Sequence, residues 1–144
     1  MIKVNFELCH EDAICPYRAH SGDIGYDVFP AFDDDYIEIK PGETKLVPTG
    51  LKTSFPDTYG VILFSKENLL SRGIQTLPKV IGSNYKLEWV VPLKNRSNKP
   101  LVIAKYPDDF NKKELTVYDY NNVISQFLIT NSYNIYPEIV DTVE

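Results

Sequence analysis

The chain has 144 residues, the usual size of one domain with a single hydrophobic core. Hydrophobic residues make up 43% and charged residues 24%, close to the averages for globular proteins, which excludes disordered and fibrous classes. A net charge of −5 argues against non-specific binding of DNA or RNA, because such binding needs clustered Lys and Arg. We therefore expect one domain over residues 1–144, with residues 130–144 as a C-terminal arm or tail, and a small ligand.

The N-terminus alternates polar and apolar residues and carries acids, unlike a signal peptide. No run approaches the roughly 20 apolar residues needed to span a bilayer. Cys9 and Cys15 fit neither a disulfide framework nor a zinc site. These features predict a cytoplasmic protein, in the host cytoplasm if the source is viral, with no membrane partner.

Short segments rich in Val, Ile, Tyr, Thr and Phe predict β-strands along the whole chain. Turn residues such as those of Asp33–Asp35 and Lys40–Glu43 separate these segments. Many short strands at near-regular spacing predict a sandwich, jelly roll or barrel. The predicted strands are 2–8, 36–39, 44–55, 60–64, 86–93, 99–106, 114–120 and 123–129.

One segment, Ser65 to Gly73, has the pattern of a helix of one or two turns. Ser65 is the expected N-cap, and Glu67 lies early, where the helix dipole favours an acid. Gly73 is the residue expected to end it.

The segment IKPGETKLVPTGLKTSFPDTYG, residues 39–60, contains three short motifs in order. They are Pro41-Gly42-Glu43, then Val47-x-Thr49-Gly50-Leu51, then Pro56-x-x-Tyr59-Gly60. In this order and spacing they resemble the trimeric dUTPase family. The resemblance continues upstream in Gly25-Tyr26-Asp27 and downstream in Ile124 and Gln126, so it covers roughly residues 1–130.

The resemblance implies an all-β subunit, a distorted jelly roll or β-sandwich with one short helix, in a homotrimer whose active sites lie between subunits. In the family, the first-motif Asp helps hold magnesium on a triphosphate, and the second motif supplies an Arg and a Ser to the phosphates. The third motif is a hairpin that accepts the pyrimidine; its Asp activates water and its Tyr packs against the deoxyribose. A glycine-rich C-terminal motif closes over the nucleotide.

The third motif departs from the family at its catalytic position. KVIGSNYKLEW, residues 79–89, keeps Val80, Ile81 and Tyr85 in register, but Gly82 stands where the Asp is expected. Glycine cannot accept a proton, and general-base catalysis is typically worth roughly 10²–10⁴-fold. Leu87 replaces the glycine that ends the hairpin. We therefore expect impaired hydrolysis and a base pocket of altered shape.

The second motif and the C-terminus depart as well. Depending on the placement of one gap, the Arg-Ser pair becomes Ser65-Lys66 or Lys66-Glu67. Lys66 can contact a phosphate as a point charge, without the bidentate fork of Arg. No glycine-rich segment follows Ile129.

These matches define the expected ligand-binding residues. Lys66 and Arg72 are expected on the phosphate side, and Gln126 belongs to the site through the fourth motif. The base or sugar pocket is expected to consist of Gly82, Ser83, Asn84 and Tyr85.

The catalytic base is not identified by the sequence. Asp27 and Glu67 are the candidate replacements, while Glu88 would lie ~20 Å from Gly82 along a straight strand. Asp27 is also the candidate magnesium ligand, and magnesium is expected only if a triphosphate is bound.

Three hypotheses for the function follow. The first is a homotrimer that binds a nucleotide or nucleotide-derived ligand with hydrolysis lost, as a regulator, sensor or sponge of a nucleotide signal; analogy with short phage proteins suggests a phage source. The second is an active dUTP diphosphatase that forms dUMP and pyrophosphate with magnesium and a displaced base. The third is a protein-interaction trimer without nucleotide, in which tyrosines at residues 118–120 and 132–139 supply contacts.

Overall fold

Twelve short strands build the computed structural model, which describes residues 1–144. A one-turn helix α1, Glu67–Leu70, and a 3-10 helix, Pro107–Asp109, complete it. Neither helix is long or apolar enough to cross a membrane. The strands are β1 Asn5–Leu8, β2 Tyr26–Val28, β3 Tyr36–Ile39, β4 Thr44–Pro48, β5 Leu51–Ser54, β6 Tyr59–Phe64, β7 Ile74–Thr76, β8 Lys79–Gly82, β9 Val90–Asn95, β10 Leu101–Ala104, β11 Thr116–Asp119 and β12 Ser125–Asn131.

The strands pair in four small sheets. Their orders are β1-β5, β11-β10-β3, β2-β12-β6-β8 and β4-β9-β7. All pairings are antiparallel except that of β10 with β11. Neighbours in each sheet are mostly distant in sequence, as in a jelly roll. The predicted all-β fold with one short helix is confirmed.

The sheet β2-β12-β6-β8 positions the residues of interest. Gln126 on β12 pairs with Asp27 on β2 on one side and with Phe64 at the end of β6 on the other. At the opposite end of β6, Gly60 pairs with Gly82 on β8. This register brings together first-, second- and fourth-motif residues at one end of β6 and leaves the third-motif hairpin at the other.

Trp89 lies at the centre of the core with no exposed surface. Its ring meets those of Phe6 and Phe127 edge-on, with centroids 5.6 and 5.3 Å away, and its Nε1 donates a hydrogen bond to Thr53 Oγ1 at 2.9 Å. Burial of an aromatic ring with its polar atom paired is strongly stabilising. Trp89 therefore attaches the chain after the third-motif hairpin to the core.

Several predicted boundaries were wrong for local reasons. The segment 44–55 is two strands, since Gly50 has a φ of +68° and turns the chain between β4 and β5. The segment 86–93 becomes a strand only at Val90. The strands β2 and β7 were not predicted, because three residues are too few to show alternation. After Asn131, residues 132–144 are exposed and form no helix or strand.

The tyrosines of residues 118–120 are core residues. Tyr118 is 2% exposed and Tyr120 7% exposed. Tyr120 donates a hydrogen bond to Asp12 Oδ2 at 3.0 Å and accepts one from the Phe32 backbone N–H at 2.9 Å. Burial raises the pKa of Tyr120 to about 12, and Asp12 acts in the same direction. These rings are therefore not available as surface contacts for a partner.

We expect Tyr120→Phe to make stability less sensitive to alkaline pH. Because the folded state holds the Tyr120 proton more tightly, its contribution is complete below the ordinary pKa of 10.0 and is lost as pH rises through about 12. Urea denaturation across this range should show a smaller decline in the unfolding free energy for Tyr120→Phe than for the wild type. Tyr106→Phe, at an exposed tyrosine, is the control and should decline as the wild type does. Equal declines in all three proteins would contradict the prediction.

Candidate functional site

A cleft of about 710 Å³ opens at the end of β6 that faces Gln126. Its walls are the loop before β2, the end of β6 with the residues after it, and parts of β7 and β12. Only two charged residues, Asp23 and Lys66, line it. The lining residues are Gly22, Asp23, Ile24, Gly25, Phe64, Ser65, Lys66, Gln75, Thr76, Pro78, Gln126 and Leu128.

An ion pair stands behind this cleft. Lys66 Nζ lies 2.8 Å from Asp27 Oδ1, and the two side chains are 20% and 7% exposed. The distance is that of a close ion pair, although Oδ1 has no partner in hydrogen-bond geometry, so the contact is chiefly electrostatic. Lys66 lines the cleft and Asp27 does not. The structure thus brings these two predicted site residues together, with the cation toward the ligand space.

Gln126 joins two walls of the cleft. Its Nε2 donates a hydrogen bond to the Ser65 carbonyl at 2.9 Å. Its Oε1 lies against Gly25, where an added Cβ would come within 2.1 Å of that oxygen. A side chain at Gly25 would therefore displace the Gln126 amide. This close approach explains why the first motif requires glycine before Tyr26.

Ser65 does not cap the helix, contrary to the sequence prediction. Lys66 occupies the N-cap position and makes no side-chain cap hydrogen bond. The Ser65 hydroxyl instead accepts a hydrogen bond from the Thr76 N–H at 2.9 Å and donates to the Thr76 carbonyl at 3.4 Å. Ser65 therefore joins β6 to β7. The helix ends at Leu70, with Ser71 as its C-cap, earlier than predicted; Gly73, with a φ of +81°, lies in the turn that follows, and its N–H donates to the Leu70 carbonyl at 3.0 Å.

The third-motif hairpin turns tightly at Gly82. The Tyr85 N–H donates to the Gly82 carbonyl at 3.1 Å, which closes a four-residue turn through Ser83 and Asn84. The side chain of Asn84 lies over Gly82, with Oδ1 2.8 Å from the position of an added Cβ. Leu87, just beyond the turn, is 68% exposed. The turn therefore presents backbone and an amide side chain, and no carboxylate, at Gly82.

The side chain of Tyr85 is fixed by contacts with other residues of the third-motif hairpin. Its hydroxyl donates to the Glu88 carbonyl at 3.3 Å, and Lys79 Nζ lies 5.2 Å from its ring centroid. The ring is half-buried against the core. One face of the ring is thus fixed, as a stacking platform would need.

The two groups of predicted site residues lie at opposite ends of β6 within one chain. Gly60 pairs with Gly82, and Ser65 lies five positions after Gly60, which is roughly 17 Å along an extended strand. One small ligand cannot bridge both groups in a single chain. A combined site requires a second copy of the chain.

The other candidate acids and cations lie elsewhere. Glu67 is exposed at the start of α1. Glu88 Oε2 accepts a hydrogen bond from the Gly50 N–H at 3.3 Å, and its Oε1 lies 3.8 Å from Cys9 Sγ. Arg72 lies over the Tyr118 ring at 5.2 Å and does not line the cleft. Both carboxylate oxygens of Glu88 therefore have partners within the fold. Glu67, next to Lys66, is the candidate acid whose side chain makes no hydrogen bond or ion pair.

The residues around Asp27 do not fit a magnesium site. Magnesium takes oxygen ligands in an octahedral arrangement, but Oδ1 of Asp27 already faces the Lys66 ammonium at 2.8 Å. Asp23 Oδ2 accepts a hydrogen bond from the His20 N–H at 3.1 Å. No three His, Cys, Asp or Glu side chains lie close enough together to hold a metal ion.

Sequence reasoning missed part of the cleft. Gln75 and Thr76 on β7, and Leu128 on β12, line it without belonging to any motif that was identified. Leu128 lies two residues after Gln126, and residues two apart in a strand point to the same face. That spacing could have indicated Leu128 from the sequence. β7 gave no comparable signal because it is only three residues long.

Comparisons with known proteins agree with this geometry. A family model described as dUTPase matches residues 11–107. The deoxyuridine 5'-triphosphate nucleotidohydrolase of Hydrogenobaculum sp. (strain Y04AAS1) is 35% identical over 107 residues, which are 72% of this chain and 73% of that protein.

Solved structures share the fold. A point mutant of the dUTPase from phage phi11 of S. aureus, described with a structural Mg(II) ion, superposes with a TM-score of 0.76 at 18% identity, covering 97% of each chain. A mutant of the Staphylococcus bacteriophage 80alpha dUTPase with dUpNHpp gives 0.76 at 20% identity, covering 99% of this chain and 90% of that one. At these identities the superpositions establish the fold, and they confirm the predicted jelly roll.

Proposed function

Since the chain belongs to the dUTPase family, we propose that it binds a deoxyuridine nucleotide in a site of the dUTPase type and hydrolyses dUTP slowly. Gly82 carries this proposal. It occupies the third-motif position at which the family resemblance expects the water-activating Asp, and the turn around it offers no other carboxylate. A protein of this kind would hold the nucleotide intact, as a sensor, regulator or sponge does.

The geometry supports a site between subunits. The cleft with Lys66 and Gln126 lies at one end of β6 and the hairpin at Gly82 at the other. A homotrimer of the family type would place the hairpin of one chain against the cleft of another. Val80 and Leu87, which are 75% and 68% exposed on either side of the turn, would then be covered.

Efficient dUTP hydrolysis to dUMP and pyrophosphate is the second candidate function, and the comparisons favour it. Relatives at 30–38% identity are named deoxyuridine 5'-triphosphate nucleotidohydrolase. Under this proposal a displaced acid activates the water. Asp27 is poorly placed to activate a water, because it is buried behind Lys66 and does not line the cleft. Glu67, exposed and next to Lys66, is the better one.

The third hypothesis is an interaction protein without nucleotide, and the only tyrosines that still support it are those of the C-terminal segment. Tyr118 and Tyr120 are buried, whereas Tyr133 and Tyr136 in the C-terminal segment are 78% and 90% exposed. Scattered exposed tyrosines do not define an interface. The nucleotide proposals therefore rest on more of the structure.

A single incubation separates the candidates. Purified protein is mixed with dUTP in magnesium buffer, pyrophosphate release is followed, and nucleotide retained by the protein is recovered by heat denaturation and identified. Slow release with intact dUTP recovered supports the first function. Fast release that Glu67→Gln abolishes and Glu138→Gln does not would establish the second. Glu138 lies in the exposed C-terminal segment and is the matched control. If no pyrophosphate is released and no deoxynucleotide is retained, both functions are overturned.

A further inference from the structure

Lys66 and Asp27 form an ion pair at the place where the family resemblance expects a metal ion. We propose that the Lys66 ammonium takes the place of magnesium, so that the cleft binds an anionic nucleotide without a divalent metal. The proposal rests on the proposed function, in that the cleft must bind a nucleotide. It is carried by the 2.8 Å separation of Nζ and Oδ1, by the burial of the Asp27 side chain and by the partial exposure of Lys66 toward the cleft.

The positions of Lys66 and Asp27 relative to the cleft determine which of the two side chains meets a ligand. Lys66 lines the cleft, whereas Asp27 is 5% exposed as a residue and lies behind it. A divalent cation that enters from the cleft meets the ammonium before the carboxylate, and like charges at close range repel. To bind Asp27, magnesium would have to displace the Lys66 ammonium from its 2.8 Å contact with Oδ1 and break an existing ion pair.

Lys66 can serve the carboxylate and a ligand together. An ammonium has three donor hydrogens, and contact with Oδ1 leaves others for phosphate oxygens. Asp27 is in this arrangement a positioning residue, since it fixes the direction of the Lys66 side chain and does not itself touch the ligand. Asp23, the other charged residue of the lining, is occupied by the His20 N–H.

The test measures binding rather than turnover. The non-hydrolysable dUTP analogue dUpNHpp is titrated into the wild-type protein by calorimetry, once with MgCl2 and once with EDTA. We expect the two dissociation constants to differ by less than about fivefold, below the usual range of coupling between two ligands. Tighter binding in magnesium by more than that factor would overturn the proposal.

Variants at the pair give opposite signatures. In EDTA, Lys66→Ser should weaken binding by roughly 10–100-fold, because a charge-assisted contact is lost. With Asp27 released, magnesium should then restore part of the affinity. Lys66→Arg keeps the charge and should stay metal-independent. Asp27→Asn should weaken binding to the same extent in EDTA and in MgCl2, because it loosens the hold on Lys66 in both buffers; loss of affinity confined to magnesium buffer would show that Asp27 binds the metal.

A measurement without nucleotide separates this proposal from the proposed function. The melting temperature of the wild type is compared in MgCl2 and in NaCl of equal ionic strength. A specific ion that binds the folded state raises it. No difference is expected, and a magnesium-specific rise that Asp27→Asn removes would overturn the inference whether or not nucleotide binds. If dUpNHpp and dUMP both fail to bind in either buffer, the proposed function fails instead.

Discussion

Gly82→Asp is expected to raise the rate of dUTP hydrolysis by roughly 10²–10⁴-fold over the wild type, the usual contribution of a positioned general base. The substitution places a carboxylate at the third-motif position where the resemblance expects one. Steady-state pyrophosphate release with dUTP in magnesium buffer measures it. A gain of activity is a stronger outcome than a loss, because a damaged fold cannot produce it.

The local structure can accept this side chain. Only Gly42, Gly50 and Gly73 have positive φ, so the backbone of Gly82 is open to any residue. An added Cβ would lie 2.8 Å from Asn84 Oδ1, which is the end of a flexible side chain that can rotate away. The double variant Gly82→Asp with Asn84→Gly removes that contact and should be at least as active.

Gly82→Asn is the matched control, since it has nearly the same shape without a base, and it should not gain activity. Two outcomes would contradict the prediction. If Gly82→Asp binds dUpNHpp as the wild type does and yet gains nothing, a missing base is not what limits the reaction. If the wild type already hydrolyses dUTP as fast as the variant, the displaced-base function is correct.

The all-β class followed from the sequence because most strands alternate and are separated by turn residues. The strand 36–39 has the bounds that were predicted, and β6 differs by one residue. The predicted strand boundaries were wrong where one backbone angle determines whether a strand continues, as at Gly50 between β4 and β5. The strands β2 and β7 could not be predicted, since three-residue strands form only because neighbouring strands offer hydrogen-bond partners.

The site was predictable only in part. Motif resemblance indicated Lys66 and Gln126, and both line the cleft. The pairing of Lys66 with Asp27 depends on the strand order β2-β12-β6, which local sequence does not encode. The separation of this cleft from Gly82 likewise follows from antiparallel pairing of β6 with β8. Residues assigned to one set of motifs can therefore lie at opposite ends of a strand within one chain.

Retained and changed positions differ in physical role. A Cβ at Gly50 would meet the Cβ atoms of Ala13 and His10 at 2.8 Å, and a Cβ at Gly25 would displace the Gln126 amide. Thr49 Oγ1 donates a hydrogen bond to the Trp89 carbonyl at 2.6 Å. Loss of any of them would disturb packing. Changes at Gly82 and Leu87 fall where side chains face open space or a flexible amide. The fold can therefore persist while the chemistry of the site changes.

Trp89→Ala is expected to lower the free energy of unfolding by about 3–5 kcal/mol, the usual cost of deleting a buried aromatic ring. Trp89 is fully buried, and the loss would remove both edge-on ring contacts and leave Thr53 Oγ1 without its donor. Because domains are stable by only about 5–15 kcal/mol, the variant should be marginal. Chemical denaturation followed by far-UV circular dichroism at fixed protomer concentration measures the change.

Two further variants separate packing from hydrogen bonding at this position. Trp89→Phe keeps an aromatic ring and should lower the free energy of unfolding by less than Trp89→Ala does. Thr53→Val keeps the Trp89 ring but leaves its Nε1 without a hydrogen-bond acceptor, which should lower the free energy of unfolding by about 1–3 kcal/mol. The backbone N–H of Trp89, which these variants keep, donates to the Leu51 carbonyl at 2.7 Å, so a shift of residue 89 after loss of its side-chain contacts would reach the base of the Gly82 hairpin. Trp89→Phe should therefore weaken dUpNHpp binding while the fold is intact. Unchanged binding in a folded Trp89→Phe protein would show that the hairpin holds its shape without this attachment.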